Sequence, residues 1–153
     1  MPIIKKFIPQ SDGHKCALAV IRMIRETCEL ALFTDNDVLK DFPTGVELKG
    51  PDLDEIGKYW LKYSSIYCYE KGDNQCLPQI KIKSDNGYWV IIIIKGAPFH
   101  CVLFDDIVEN KVHYWDPQLK HQEKSKEIFD AMRIHDDPLF KVWEVHYIKK
   151  IEN

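Results

Sequence analysis

The stretch YWVIIII, beginning at Tyr88, sets the first limit on what this chain can become. It is the longest apolar run in the sequence, seven residues. A run of that length makes a central strand buried on both faces, and it falls far short of the ~20 residues that span a bilayer as a helix. The chain must therefore hold a sheet, and the neighbouring segments supply its other strands. SSIYCYE, from Ser64, reads as a short strand, and PQIKIKSD, from Pro78, has the strict alternation of a half-exposed one. FHCVLFDDIVENKVHYWDP reads as two strands about a polar turn, and FKVWEVHYIKKI as an alternating strand that closes the chain.

Before about Ser64 the period changes. Leu18, Ile21, Ile24, Cys28 and Leu32 recur at three- and four-residue spacing, which predicts a helix from about Lys15 to Leu32. Ala17, Val20 and Met23 widen its apolar stripe, so this helix is expected to be central. TDNDVLKDFP predicts a short helix capped by Thr34 or Asp35 and stopped before Pro43. GPDLDEIGKYWLKY predicts a third, with Pro51 in its first turn and Leu53, Ile56, Tyr59 or Trp60, and Tyr63 on one face. Helices first and antiparallel strands after give an α+β arrangement, a helical layer packed on a sheet. With 153 residues, 45% of them hydrophobic, and no repeat or linker, residues 1–153 are expected to form one domain.

The bulk properties exclude several function classes. A net charge of −3 with lysines, arginines and acids interleaved gives no basic stripe for nucleic acid. The N-terminal MPIIKKFIPQ is broken by two lysines and lacks a cleavage site, so it is not a signal peptide, and no membrane partner is expected. The five cysteines are odd in number and form no CxxC pair, which argues against a disulfide framework or a zinc site. Reduced thiols in a cytoplasmic setting are the simplest reading, and a domain carried by a larger exported protein has the same composition. No cofactor and no metal-ligand set is read from the sequence; Cys68 and Cys76 lack ligand spacing with any histidine pair.

Chemistry is first suggested by PQSDGHKCALAVIRMIRE, which places Cys16 where the apolar helix begins. Unpaired N–H groups and the helix dipole lower a thiol pKa at such a point, and only the thiolate is nucleophilic. A base is then required, normally a histidine oriented by a third group. His14 is too close in sequence to reach over Cys16. His121 and His135 lie in polar segments, and His113 and His146 sit in alternating strands as half-buried side chains. His100 opens a strand after KGAPF, and Asp116 ends the next strand just before Pro117. A two-residue turn at Glu109–Asn110 would set Asp116 opposite Leu103, on the wrong face for His100. The pair meets only if the turn holds an odd number of residues or a bulge intervenes. Taken alone, Cys16 reads as an inert core thiol and Asp116 as a cap on the turn. The order Gln10, Cys16, His100, Asp116 reverses both readings. Cys28 and Cys101 read as core thiols, Cys101 pointing to the face opposite His100. Trp60, Trp89, Trp115 and Trp143 read as core, Trp115 with the further option of shielding Asp116 from water.

Gln10, five residues, Cys16 at a helix start, a distant histidine and an aspartate before proline together resemble the papain-like cysteine peptidases. More narrowly, CALAVIRMI, GPDLDEIGKYWLKY and the run from Trp89 to Pro117 are similar to the peptidase C39 group, the compact bacteriocin-leader-processing domains, over nearly the whole chain. That resemblance implies Cys16 as nucleophile, His100 as general base and then acid, Asp116 as its orienting carboxylate, and Gln10 with the Cys16 N–H as oxyanion donors. The substrate implied is a protein or peptide. The same triad serves a glutamine deamidase. Stand-alone domains of this kind also occur as bacterial toxins or effectors, delivered into a target cell and restrained by a cognate immunity protein. The non-enzymatic alternative is a catalytically silent peptide-binding domain. The chain departs from the group at Ala17, where Gly or Trp is usual, and at Lys15, where an acid often stands. It also carries no transporter segment, so export-coupled leader processing is not expected.

Overall fold

A computed structural model describes residues 1–96, 99–134 and 142–152. Four helices precede the first strand: α1 (Cys16–Glu29), α2 (Asp35–Leu39), α3 (Val46–Lys49) and α4 (Leu53–Lys62). Then follow β1 (Tyr67–Gln75), α5 (Leu77–Asp85), β2 (Trp89–Lys95), β3 (Phe99–Val108), β4 (Lys111–Asp116), β5 (Lys120–Ser125), α6 (Lys126–Asp130) and β6 (Trp143–Lys150). The strands form one sheet in the order β1-β6-β2-β3-β4-β5, and every pairing is antiparallel.

YWVIIII lies near the middle of this sheet, and its two faces feed two cores. Ile91 and Ile93 join Leu18, Ile21, Ile24, Ile56 and Trp60 beneath the N-terminal helices. Val90, Ile92 and Ile94 join Ile80, Phe129 and Trp143 on the other side. The helical layer over an antiparallel sheet is the expected α+β architecture, and two further helices, α5 and α6, cover the second face.

Four local expectations are corrected. PQIKIKSD is a helix. Because β1 and β2 are each antiparallel to the β6 that separates them, they run parallel to one another, and the connection must cross the sheet. Helix α5 makes that crossing, with Pro78 in its first turn and the Gln79 side chain accepting from Cys76 N–H at 2.8 Å. The alternation of Ile80 and Ile82 is real, but it puts Ile80 in the core and leaves Ile82 60% exposed on a helix. Helix α1 stops at Glu29, where Leu30 takes a left-handed conformation (φ 53°), so Leu32 lies outside the stripe and is exposed. Pro51 stands before the fourth helix, whose cap is Asp52 in a reciprocal box with Glu55. His146, expected half-buried, is fully buried and hydrogen-bonded to the Tyr69 hydroxyl, with burial pushing its pKa down to about 4. His135 and the start of FKVWEVHYIKKI lie outside the described residues, as do Ala97 and Pro98 of KGAPF. Among the described residues, no helix is long and apolar enough to cross a membrane.

Candidate active site

Helix α1 is apolar on nearly every side: Ala17, Leu18, Ala19, Val20, Ile21, Met23 and Ile24 are all buried. Its packing against β3 carries Cys16, its first residue, to the start of that strand. Neither a side-chain cap nor an acidic residue meets the first turn, so no carboxylate competes for its N–H groups and dipole. The loop before it is tied instead by Asp12, which accepts from the His14 N–H at 2.9 Å and pairs with Lys15 at 3.2 Å. Lys15 is thereby drawn back onto Asp12.

The β3–β4 ladder begins only at Leu103↔Trp115, so the edge of β3 before Leu103 is open on that side. The Cys101 N–H donates there to Cys16 Sγ, at 3.4 Å. Cys101 is fully buried with its thiol against the same sulfur, so the core thiol predicted from its strand face is also the neighbour of Cys16. The alternation of strand faces carries the signal for this contact: Cys101 points away from His100, to the face on which α1 packs.

Register decides whether His100 and Asp116 meet. The turn is the two-residue type, Val108 pairing with Lys111 around Glu109 and Asn110, both at positive φ. Alone it would misplace Asp116. The ladder shifts between Phe104 and Asp106, leaving Asp105 as an extra residue, and this bulge restores the parity. His100 Nε2 and Asp116 Oδ1 stand 2.8 Å apart. The same oxygen accepts from the N–H groups of Gln118 at 2.8 Å and Leu119 at 3.3 Å, so Asp116 caps its turn and holds the imidazole at once.

The charges follow from these contacts. Cys16 is held down to about 4, chiefly by the Cys101 thiol as a hydrogen-bond donor; burial opposes this, and His100 and the Cys101 N–H add to it. Burial works against a charged His100, but the Asp116 carboxylate and the Cys16 thiolate outweigh it and raise the imidazole to about 9. Burial likewise opposes charge on Asp116, and its bonds from His100 and Gln118 keep the carboxyl below its usual range. Between about pH 4 and 9 the resting state is a thiolate beside an imidazolium. With Nε2 held by Asp116, Nδ1 is the nitrogen left to exchange a proton with the sulfur.

Gln10 is fastened beside this dyad by its backbone N–H, which donates to the Pro117 carbonyl at 3.0 Å. Its amide nitrogen donates to the Asp12 carbonyl at 2.7 Å, which leaves one further proton on that nitrogen. A cleft of about 260 Å³ opens beside Cys16, lined by Gly13, His14, Ala17, Gly50 and Phe99 among others. Gly50 (φ +77°) is required there, because a Cβ would stand 2.5 Å from the His14 carbonyl oxygen. His14, set aside as a base, is thus a wall of the cleft, and Ala17, the departure after the cysteine, is part of its lining. Trp115 packs on Phe7 with ring centroids 5.7 Å apart, half-buried at the rim of the core.

No protein-family model matches this chain, and no curated protein matches it. Solved structures do match its fold. The peptidase domain of Streptococcus ComA, a bifunctional ABC transporter involved in quorum sensing, superposes with a TM-score of 0.66 at 18% identity, over 97% of this chain and 98% of that one. A double-glycine motif protease from an AMS/PCAT transporter, solved in complex with its leader peptide, superposes with a TM-score of 0.67 at 14% identity, over 95% and 89%. The peptidase domain of Streptococcus mutans ComA gives 0.57 at 18% identity, over 96% and 99%. The chain has the fold of these C39-type peptidase domains.

Proposed function

We propose that this protein is a cysteine peptidase acting on a peptide or protein segment. The observation that carries this reading is the line from the Cys16 sulfur, low in pKa at the bare start of a buried helix, to His100 and on to the buried Asp116 at 2.8 Å. The Cys16 thiolate attacks the scissile carbonyl carbon, and the developing oxyanion meets the Cys16 N–H and the free proton of the Gln10 amide. The intermediate collapses, the C–N bond breaks, and the leaving amine takes the proton from His100 Nδ1. Water then attacks the thioester, giving a proton back to His100, and a carboxylic acid leaves with the thiolate restored. Asp116 stays ionised and holds the ring in place throughout.

The leader peptide bound by the AMS/PCAT protease supports a peptide as the substrate class here. A side-chain amide would meet the same groups, so a deamidase reading shares the site. An effector role with an immunity protein as partner would use it too, by blocking the cleft beside Cys16. The deciding experiment incubates the protein with a peptide library and with bacterial lysate proteins, and reads the products by mass. Peptide-bond cleavage yields two fragments whose masses sum to the substrate plus one water, roughly 18 Da. Deamidation yields one product about 1 Da heavier. Neither change appears with Cys16→Ala if the reading holds. Turnover that survives Cys16→Ala overturns it.

A further inference from the structure

We propose that β3, β4 and β5, on the face that carries Trp115, hold a second site, for a divalent transition-metal ion, with Asp105, His113 and His121 as ligands and Glu123 at its rim. The ligands come from three adjacent strands, so no spacing in the sequence announces them. The bulge that brings His100 and Asp116 together also makes this cluster: Asp105 is the extra residue, standing with Asp106 opposite His113. The two carboxylates then diverge. Asp106 is met by the Lys81 ammonium at 2.7 Å and by the Ile107 N–H at 2.8 Å. Asp105 turns to His121, its Oδ2 lying 3.0 Å from Nε2.

On β5, His121 pairs with Trp115 and Glu123 with His113, which puts both imidazoles on the face of Trp115. One oxygen of Asp105 and one nitrogen of each histidine all lie within 4.8 Å of one another. Tetrahedral zinc with bonds of about 2.1 Å sets its ligand atoms roughly 3.4 Å apart. The His121–Asp105 pair is already near that spacing, and rotation of the two imidazoles closes the rest. Glu123 Oε1 is 3.4 Å from His113 Nδ1, in place either as a fourth ligand or to orient the ring. Trp115 meets the His121 ring edge-on, with centroids 4.8 Å apart, and walls off one side. Two imidazoles with carboxylate suit Zn²⁺, Co²⁺, Ni²⁺ or Cu²⁺ and are a poor match for Ca²⁺ or Mg²⁺. The side chains of Asp105 and His121 are 31% and 35% exposed, so an ion enters from solvent. Bound there, it would pin the edge strand β5 to the two strands that carry His100 and Asp116. This inference stands apart from the proposed catalysis.

The test uses chelator-stripped Cys16→Ala protein, so that metal captured by the active-site thiol is not counted. Calorimetric titration with zinc chloride is expected to show one saturable site. His113→Ala and His121→Ala should each weaken it at least tenfold, and Asp105→Asn, which keeps the bulge residue's shape, should weaken it too. At a hundredfold excess over Kd, zinc should raise Tm by about 5 °C in Cys16→Ala and leave Tm unchanged in the doubly substituted His113→Ala/His121→Ala form. Cobalt(II) in place of zinc should give visible ligand-field bands that vanish with His121→Ala. Absence of saturable binding overturns the proposal. So does binding that survives both histidine substitutions, or binding that is lost with His100→Ala in their place.

Discussion

Helix α1 carries a cysteine in its first turn and another in its last, and the two differ in almost every respect that matters to a thiol. Cys16 has an N–H donor, a thiol donor and an imidazolium beside its sulfur, and its pKa falls to about 4. At Cys28 burial is the largest influence and raises its pKa, outweighing the Trp89 indole N–H at 3.2 Å, the Lys150 ammonium and the Tyr67 hydroxyl, which oppose it. Both sit against the same apolar core. Apolar packing is therefore not what separates a thiol of lowered pKa from one of raised pKa. The difference is which donors meet the sulfur: at Cys16 a thiol, an imidazolium and the N–H of an open strand edge outweigh burial, whereas at the half-buried Cys28 the Trp89 and Tyr67 bonds do not.

The largest test of this contrast is alkylation at pH 6. At that pH Cys16 is about 99% thiolate, while a thiol with a pKa above 9 is ionised to less than about 0.1%. A low-pKa thiolate is also a weaker nucleophile, by about two powers of ten over this interval. The net expectation is that limiting iodoacetamide labels Cys16 at least tenfold faster than Cys28, read by peptide mapping. The advantage should shrink as pH rises toward 9, because Cys28 then ionises and Cys16 has nothing left to gain. Equal rates at pH 6 would break the comparison.

The two ends of α1 were unequally legible in the sequence. The helix start, the nucleophile candidate and the strand YWVIIII follow from periodicity, because each element buries a face whose spacing is written in its own residues. The meeting of His100 with Asp116 was legible only as a condition, since one inserted residue between Phe104 and Asp106 decides it, and a bulge has no local signature in FDDIV. PQIKIKSD misled because alternation at Ile80 and Ile82 fits a strand locally, while the need to cross from β1 to β2 is a property of the whole sheet. KHQEKS carries no apolar alternation at all: β5 is an edge strand, held by one ladder to β4 and largely open to solvent.

A second test removes the charge behind His100. Asp116→Asn takes away a partner that raises the imidazole to about 9, so the alkaline limb of kcat/KM should move toward the ordinary histidine value, with a loss of at least about a hundredfold at pH 8. The sign of the stability effect is also fixed. The His100 pKa is higher in the folded chain, so its contribution is fully present below about 6.5 and fades as pH rises through about 9. The deficit of the variant in thermal melts should therefore be larger at pH 6 than at pH 10. A pH-independent deficit would mean that Asp116 acts only as the cap of its turn.

The smallest test separates the donors around Cys16 from one another. The Cys101 thiol is the largest single cause of the low Cys16 pKa, ahead of His100. A hydrogen bond to a charged group contributes about 1.5 kcal/mol, which is about one pKa unit. Cys101→Ala should then raise the acidic limb of kcat/KM by about one pH unit, while the Cys101 N–H and His100 keep the sulfur ionised at neutrality. Cys101→Ser restores an O–H donor at nearly the same volume, so its acidic limb should stay close to that of the unaltered protein. If alanine and serine shift the limb equally, the second thiol only fills space. The contrast between the ends of α1 would then rest on the imidazolium and the single N–H at the open edge of β3.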